Sequence, residues 1–303
     1  MTNSLQPLAD RIFYLPNVVN IGIVALAPDP VGGGRALLVD SGLDADYGKA
    51  ARKACEALRL KPVAVINTHA HADHFGGNDY LARNCGVRVY APAFEEAIMR
   101  YPELEPTYLF NGAYPIHELQ NKWLMAKASP VHQVVEAGEL AVEGLSAQIK
   151  PLPGHSRAQV GVLVAGVLFC GDAVIGEGTL EKYKIPFGAD IARQIESIHA
   201  LQAMKVERVV CAHGEPVSDV TAMAEANLAA IERASRAVRE AVQTPGDASQ
   251  VVARVGRILG LQHANVSQFY LFQSVITAYL AYLQQLGQAR LELREQAALW
   301  SAV

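Results

Sequence analysis

The chain has 303 residues, enough for one large domain with an appendage or for two domains. With 51% apolar residues, a formal net charge of −4 and no low-complexity tract, it reads as an ordinary globular protein whose scattered cations offer no basic stripe for nucleic acid. Its longest apolar run, 160–170 (VGVLVAGVLFC), is too short to cross a bilayer, and the opening MTNSLQPLADRIF lacks a basic segment ahead of an apolar core, so a cytoplasmic location with no membrane partner is expected.

In chain order, IGIVALA (21–27) and RALLVD (35–40) read as strands, and the PDPVGGG between them suits a hairpin connection. A helical pattern at 45–59 follows, then the buried strand PVAVIN (62–67), a short helix at 77–84 and the strand VRVYAP (87–92). The segment 100–130 breaks this rhythm with Tyr101, Tyr108, Phe110, Tyr114 and Trp123 among prolines; it reads either as a lid or pocket wall or as a local core. From about 134 a second β-rich run begins, with AQIKPLPGHS (147–156), QVGVLVA (159–165) and VLFCGD (167–172) as consecutive strands. A loop at 177–187, a helix at 189–204 and the strand RVVCAHG (208–214) complete this half. Beyond 216 the pattern turns helical, over roughly 217–243, 247–260 and 264–287, with a last amphipathic piece at 290–301. Strands alternating with helices indicate α/β layering, and the change near 216 suggests a domain of 1–216 followed by a helical domain of 217–303. Cys55, Cys85, Cys170 and Cys211 show no metal-knuckle spacing and read as reduced core residues.

Chemistry concentrates at 67–77, NTHAHADHFGG. In extended chain, side chains two apart share a side, so His69 and His71 can grip one cation while Asp73 and His74, as the chain turns, face a place beside it. Imidazoles with a carboxylate are borderline donors that suit zinc, with manganese or iron as alternatives. The buried strand before them supplies a rigid base, and Gly76–Gly77 suit a tight turn into the next helix. Three more potential ligands close apolar strands: His155 in LPGHS, Asp172 in FCGD and His213 in CAHGE.

The motifs THAHADHFGG, PGHS, FCGDA and AHGE, in that order and with VDSG at 39–42, resemble those of the metallo-β-lactamase-fold hydrolases over roughly residues 10–216. The resemblance implies a four-layer αββα sandwich with a C-terminal helical extension, its metals lying in a cleft at one edge of the paired sheets. It implies two divalent ions, Zn2+ first. His69, His71 and His155 would hold one, Asp73, His74 and His213 the other, and Asp172 would bridge them together with a water or hydroxide. Asp40 would sit behind the ligands, orienting one of them or the backbone. No ligand position departs from the family pattern: His71 is not the Glu of the di-iron flavoprotein branch, and Asp172 is not the Cys of one β-lactamase branch.

The resemblance implies hydrolysis of an ester-like bond (thioester, lactone, ester or phosphodiester) in a small-molecule substrate, with Asp73 orienting the attacking water and handling its proton. Subfamily cues are thin. Arg233, Arg236 and Arg239 could serve as the basic residues that hold glutathione in glyoxalase II-like enzymes, or simply form a solvated helix face. Ile175 stands where acyl-homoserine lactonases carry Tyr. Tyr183 and Lys184, in the loop after Asp172, are candidate substrate contacts. Two other readings are a mononuclear-iron persulfide dioxygenase using His69, His155 and Asp172, and a signalling or binding protein that keeps the metal site. The apolar FYLFQSVITAYLAYL suggests a homodimer through the C-terminal helices. His117, His132, His199 and His263 match no motif.

Overall fold

The computed structural model describes residues 4–28 and 32–303. Four short β-rich segments open the chain as an antiparallel meander: β1 (Gln6–Ala9), β2 (Ile12–Leu15), β3 (Ile21–Ala25) and β4 (Gly34–Val39). The expected β3–β4 pairing is present, while residues 29–31 of the connection lie outside the described residues. Helix α1 (Ala45–Ala57), begun by the Asp44 carboxylate accepting from the Asp46 N–H, carries the chain to β5 (Leu60–Ile66), parallel to β4. Helices α2 (Ala72–Phe75) and α3 (Asn78–Cys85) lead to β6 (Arg88–Pro92). The aromatic segment then contributes α4 (Glu95–Arg100), α5 (Leu104–Leu109) and a 3-10 turn at His117–Leu119, before β7 (Gln133–Val135) ends a seven-stranded sheet ordered β1 to β7.

The second sheet is built from β8 (Gly138–Val142), β9 (Leu145–Pro151), β10 (Val160–Val164) and β11 (Val167–Gly171), which pair antiparallel in turn. Helices α6 (Glu177–Tyr183) and α7 (Ile191–Ala203) then return the chain for β12 (Arg208–Cys211) to lie parallel to β11. Residues 177–183 are therefore helical where the sequence suggests a loop.

Strand alternation assigns the layers. Leu37, Val39, Ala64 and Ile66 of the first sheet meet Val160, Val162, Phe169 and Val210 of the second in a core between the sheets. Their neighbours Leu38, Val65 and Val89 point the other way, onto Ala51 of α1, Leu81 of α3 and Met99 of α4. On the far side, Leu168, Cys170, Val209 and Cys211 join α7, α8 (Thr221–Ala241), α9 (Ala248–Leu259) and α10 (Val266–Gln285) in one continuous core. The result is the four-layer αββα arrangement with C-terminal helices.

Helix α10 buries Phe272, Val275, Ile276, Tyr279, Leu280 and Leu283, spaced three and four apart, so one stripe faces inward. Each buried side chain of this kind contributes roughly 1.5–3 kcal/mol before ordering entropy is counted. The apolar surface that suggests dimerisation is thus used largely inside the molecule, and no helix among the described residues is long and apolar enough to cross a membrane.

A second expectation about secondary structure also fails. Residues 290–301 are not helical but form a hairpin, β13 (Ala289–Arg294) and β14 (Ala297–Ala302). Glu295 and Gln296 take φ of 48° and 65°, the pair of left-handed positions that a two-residue hairpin turn needs. Tertiary pairing fixes the strand state: the N–H and C=O of Trp300 each bond to Gly246, and the Trp300 ring is buried against the helical layer.

Candidate metal centre

Every candidate ligand follows a strand, at the same edge of the two sheets. Asp40 follows β4, His69 follows β5, and His71 opens α2, which carries Asp73 and His74. His155 follows β9, Asp172 follows β11, and His213 lies two residues after β12. Backbone bonds lock these ends together. Asp40 N–H donates to Ile66 O (3.0 Å), Val160 N–H to Thr68 O (3.0 Å), and Ala212 N–H to Gly171 O (3.0 Å).

Two triads of donors result. His69 Nε2 and His155 Nε2 lie 3.0 and 2.9 Å from His71 Nδ1. Three ring nitrogens this close cannot all be satisfied by shared protons, but the spacing is near the edge of a zinc tetrahedron, about 3.3 Å for Zn–N bonds of about 2.0 Å. In the other triad, His213 Nε2 is 3.4 Å from Asp73 Oδ2, and His74 Nε2 is 3.8 Å from Asp73 Oδ1. Asp172 Oδ2 lies between them, 3.3 Å from His155, 3.5 Å from His74 and 3.4 Å from His213. His74 Nε2 and Asp172 Oδ1 are buried without a hydrogen-bond partner among the described residues, which is what a cation between them would remedy.

The outer edges of the rings are tied down. His74 Nδ1–H donates to Asp40 Oδ2 (2.8 Å), His155 Nδ1–H to Phe187 O (3.2 Å) and His213 Nδ1–H to Val18 O (2.8 Å). Thr68 gives its hydroxyl proton to Asp40 Oδ2 (2.9 Å), so its oxygen is free to accept from His69 Nδ1–H (3.1 Å). Four imidazoles therefore turn Nε2 inward, and His71 turns Nδ1 inward. Such outer partners are what fix ring orientation around a metal. Asp40 also accepts from the Thr68 N–H (2.8 Å) and sits at φ 59°, a left-handed position that Asp tolerates better than most residues.

Electrostatics separates the triads. Burial, then the neighbouring histidines, pulls His69 far below the ordinary imidazole range, and burial with His155 takes His71 down to about 3. His155 is lowered too, chiefly by burial. Burial, the largest single effect, opposes protonation of His74 and His213, but the carboxylates together outweigh it, Asp172 with Asp40 and Asp73 at His74 and Asp172 with Asp73 at His213. His74 rises well above its usual value and His213 to about 10. Burial would raise both carboxyls, yet the histidines beside them prevail, holding Asp73 at about 2 and Asp172 well below the carboxylate range. Without metal, the two carboxylates favour the charged forms of His74 and His213, while burial drives His69, His71 and His155 toward neutrality.

Gly76 and Gly77 act differently from expectation. Their φ angles, −59° and −78°, are open to any residue. What excludes side chains is contact, since a Cβ at Gly76 would lie 1.8 Å from Leu43 O and one at Gly77 2.3 Å from Ser41 O. Lys184 is also placed away from the cluster: its amine donates to Leu259 O (3.2 Å) and Gly260 O (3.4 Å) at the end of α9. Tyr183 ends α6 half exposed, with Lys182 over its ring.

Sequence reasoning missed two buried acids here. Glu95, in α4, bonds to both histidine-bearing loops. Glu105, in α5, is pushed well above the carboxylate range by burial and by the Asp73 and Glu95 charges. Nothing in FEEAIMR or ELEPTY marks either as more than a helix-surface acid.

A model of the metallo-beta-lactamase superfamily matches residues 15–213. A hydroxyacylglutathione hydrolase from Xylella fastidiosa (strain M12) is 27% identical over 212 residues, covering 69% of this chain and 66% of its own length. Another, from Thiobacillus denitrificans, is 28% identical over 162 residues and covers 53% and 51%. The chain thus spans between half and just under two thirds of these relatives. Among solved structures, a beta-lactamase domain protein from Burkholderia ambifaria superposes with TM-score 0.73 at 19% identity, covering 100% of this chain and 94% of its own. A metallo-beta-lactamase family protein from Thermus thermophilus gives TM-score 0.75 at 18% identity, covering 98% and 100%. These two share the fold, C-terminal region included.

Proposed function

Because the chain belongs to the metallo-beta-lactamase superfamily, we propose that it is a hydrolase of an ester-like bond, thioester first and lactone or carboxylic ester next, working with two divalent cations. The observation that carries this reading is the pair of donor triads meeting at Asp172, where His74 Nε2 and Asp172 Oδ1 are buried with no hydrogen-bond partner among the described residues. His69, His71 and His155 would hold one ion and Asp73, His74 and His213 the other, with Asp172 between; the nitrogen and oxygen donors favour zinc. Bound there, the ions would supply a water ionised near neutral pH and would polarise the carbonyl to be cleaved.

The chain's own residues do the rest. Asp73 is the more exposed of the two ligand carboxylates, 23% against 5% for Asp172, and so the better placed of the two to meet a water. Held ionised, it can orient that water by accepting a hydrogen bond from it. The Phe187 ring stands edge-on to His71 and His155, at 5.3 and 5.5 Å, and shields that side from solvent. A thioester is placed first because the curated relatives are named for a glutathione thioester hydrolase.

The test is elemental analysis of protein purified without chelators, followed by a panel of thioesters, lactones and esters. Two zinc ions with turnover that His69→Ala abolishes supports the proposal. One iron with thiol-dependent oxygen uptake would replace it with a dioxygenase. Two ions and no turnover across the panel would leave a binding or signalling protein.

A further inference from the structure

We propose that Glu95 is a positioning residue for the metal centre, a buried strut that holds the loop bearing His69 and His71 against the loop bearing His155. The inference rests on reading those three histidines as ligands of one ion. Glu95 lies outside every motif, yet it is 1% exposed and its two oxygens reach in opposite directions. Oε2 accepts from the Ala70 N–H (3.0 Å), the peptide between His69 and His71. Oε1 accepts from the Ser156 hydroxyl (2.8 Å) and the Ala158 N–H (2.8 Å), directly after His155.

The two loops belong to different sheets, one following β5 and the other joining β9 to β10. Glu95 arrives from a third place, after β6, and is the link its three donors share. Among the described residues no cation pairs with it, and those three donors are what satisfies its buried carboxylate. The backbone leading to it is strained: Phe94 takes φ 73° and ψ −48° with its ring 59% exposed. A bulky residue keeps such a conformation where its surroundings demand it, and here it turns the next side chain into the interior. Asp40 is a second buried carboxylate behind the ligands, accepting directly from His74 and, through Thr68, backing His69 as well. Of the two, only Asp40 falls in a motif.

Glu95→Gln is the informative change. It keeps shape and volume, but an amide has one acceptor oxygen, so whichever way it sits one loop loses its acceptor and faces an N–H. Zinc affinity is read by competition with a chromophoric chelator, and site geometry by the visible spectrum of the cobalt-substituted protein. The expected result is an unchanged far-ultraviolet spectrum and a 10- to 100-fold loss of affinity for one ion, the ion that His71→Ala also loses, with less than a threefold change for the other. Ser156→Ala, which removes one of three donors, should produce a smaller loss at the same ion. If Glu95→Gln binds both ions as the parent does, or weakens both equally in step with a fall in Tm, the strut is refuted. If the parent and His69→Ala bind zinc identically, the metal reading itself fails, and the strut with it.

Discussion

Replacing Gly76 by alanine should cost the fold about 3–5 kcal/mol, although the backbone there is ordinary. The added methyl would lie 1.8 Å from Leu43 O and 2.3 Å from Leu43 C, backbone atoms that no rotamer change can move. Real Cβ contacts essentially never fall under 3.0 Å, so α2 and the Ser41–Leu43 segment must separate by about 1.2 Å, the difference between that limit and the 1.8 Å contact with Leu43 O. Two hydrogen bonds span that seam, Ser41 N–H to His74 O (2.8 Å) and Gly77 N–H to Gly42 O (3.1 Å). Losing both costs about 1 kcal/mol each, and overpacking adds about 1–3 kcal/mol. With an unfolding entropy of about 2.1 cal/mol/K per residue, a 303-residue chain loses about 1.6 °C per kcal/mol, so Tm should fall by about 5–8 °C. Gly178 is the control of opposite sign: it sits in α6 with nothing within 4 Å of an added Cβ, so Gly178→Ala should be neutral or stabilising by about 0.5–1 kcal/mol. Thermal unfolding of both variants, without metal, reads the contrast. A Gly76→Ala protein melting within 2 °C of the parent would refute the contact argument.

Without metal, stability should peak near about pH 6.5, the unfolded histidine value, and fall on both sides. Above it the unfolded chain gives up protons that folded His74 and His213 keep, so their stabilisation is lost as pH rises through about 10 for His213. Below it the unfolded chain takes protons that His69, His71 and His155 refuse, His71 down to about 3, and the depressed Asp73 and Asp172 reinforce the loss in strong acid. Zinc should remove the alkaline limb by replacing the two protons; a metal-free Tm that climbs steadily from pH 6.5 to 9 would contradict this. Tyr279→Phe should raise stability by about 1 kcal/mol, because the Tyr279 hydroxyl is fully buried with no partner among the described residues. A lower Tm in that variant would mean the hydroxyl is satisfied after all.

How far the sequence could be read follows from the range of the forces involved. The buried strand PVAVIN and the donors after it announce themselves locally, because strand alternation and ligand chemistry are written in neighbouring residues. The helices of the C-terminal layer are equally plain, since the spacing of Phe272, Val275, Ile276, Tyr279 and Leu280 admits one period. The hairpin at 289–302 is not plain: Arg290, Glu292 and Arg294 alternate with Leu291 and Leu293 over a stretch too short to decide, and its pairing to Gly246 is a tertiary event. Gly76–Gly77 looks like a flexible turn because sequence shows glycines but not the Leu43 and Ser41 carbonyls pressed against them. Glu95 is the sharpest case. Beside Glu96 it looks like one of two acids favouring a helix N-terminus, and only folding separates them, sending Glu96 to a surface pair with Arg100 and Glu95 into the join between two sheets. A ligand is identifiable by what it is, whereas the residue that aims it is identifiable only by where it ends up.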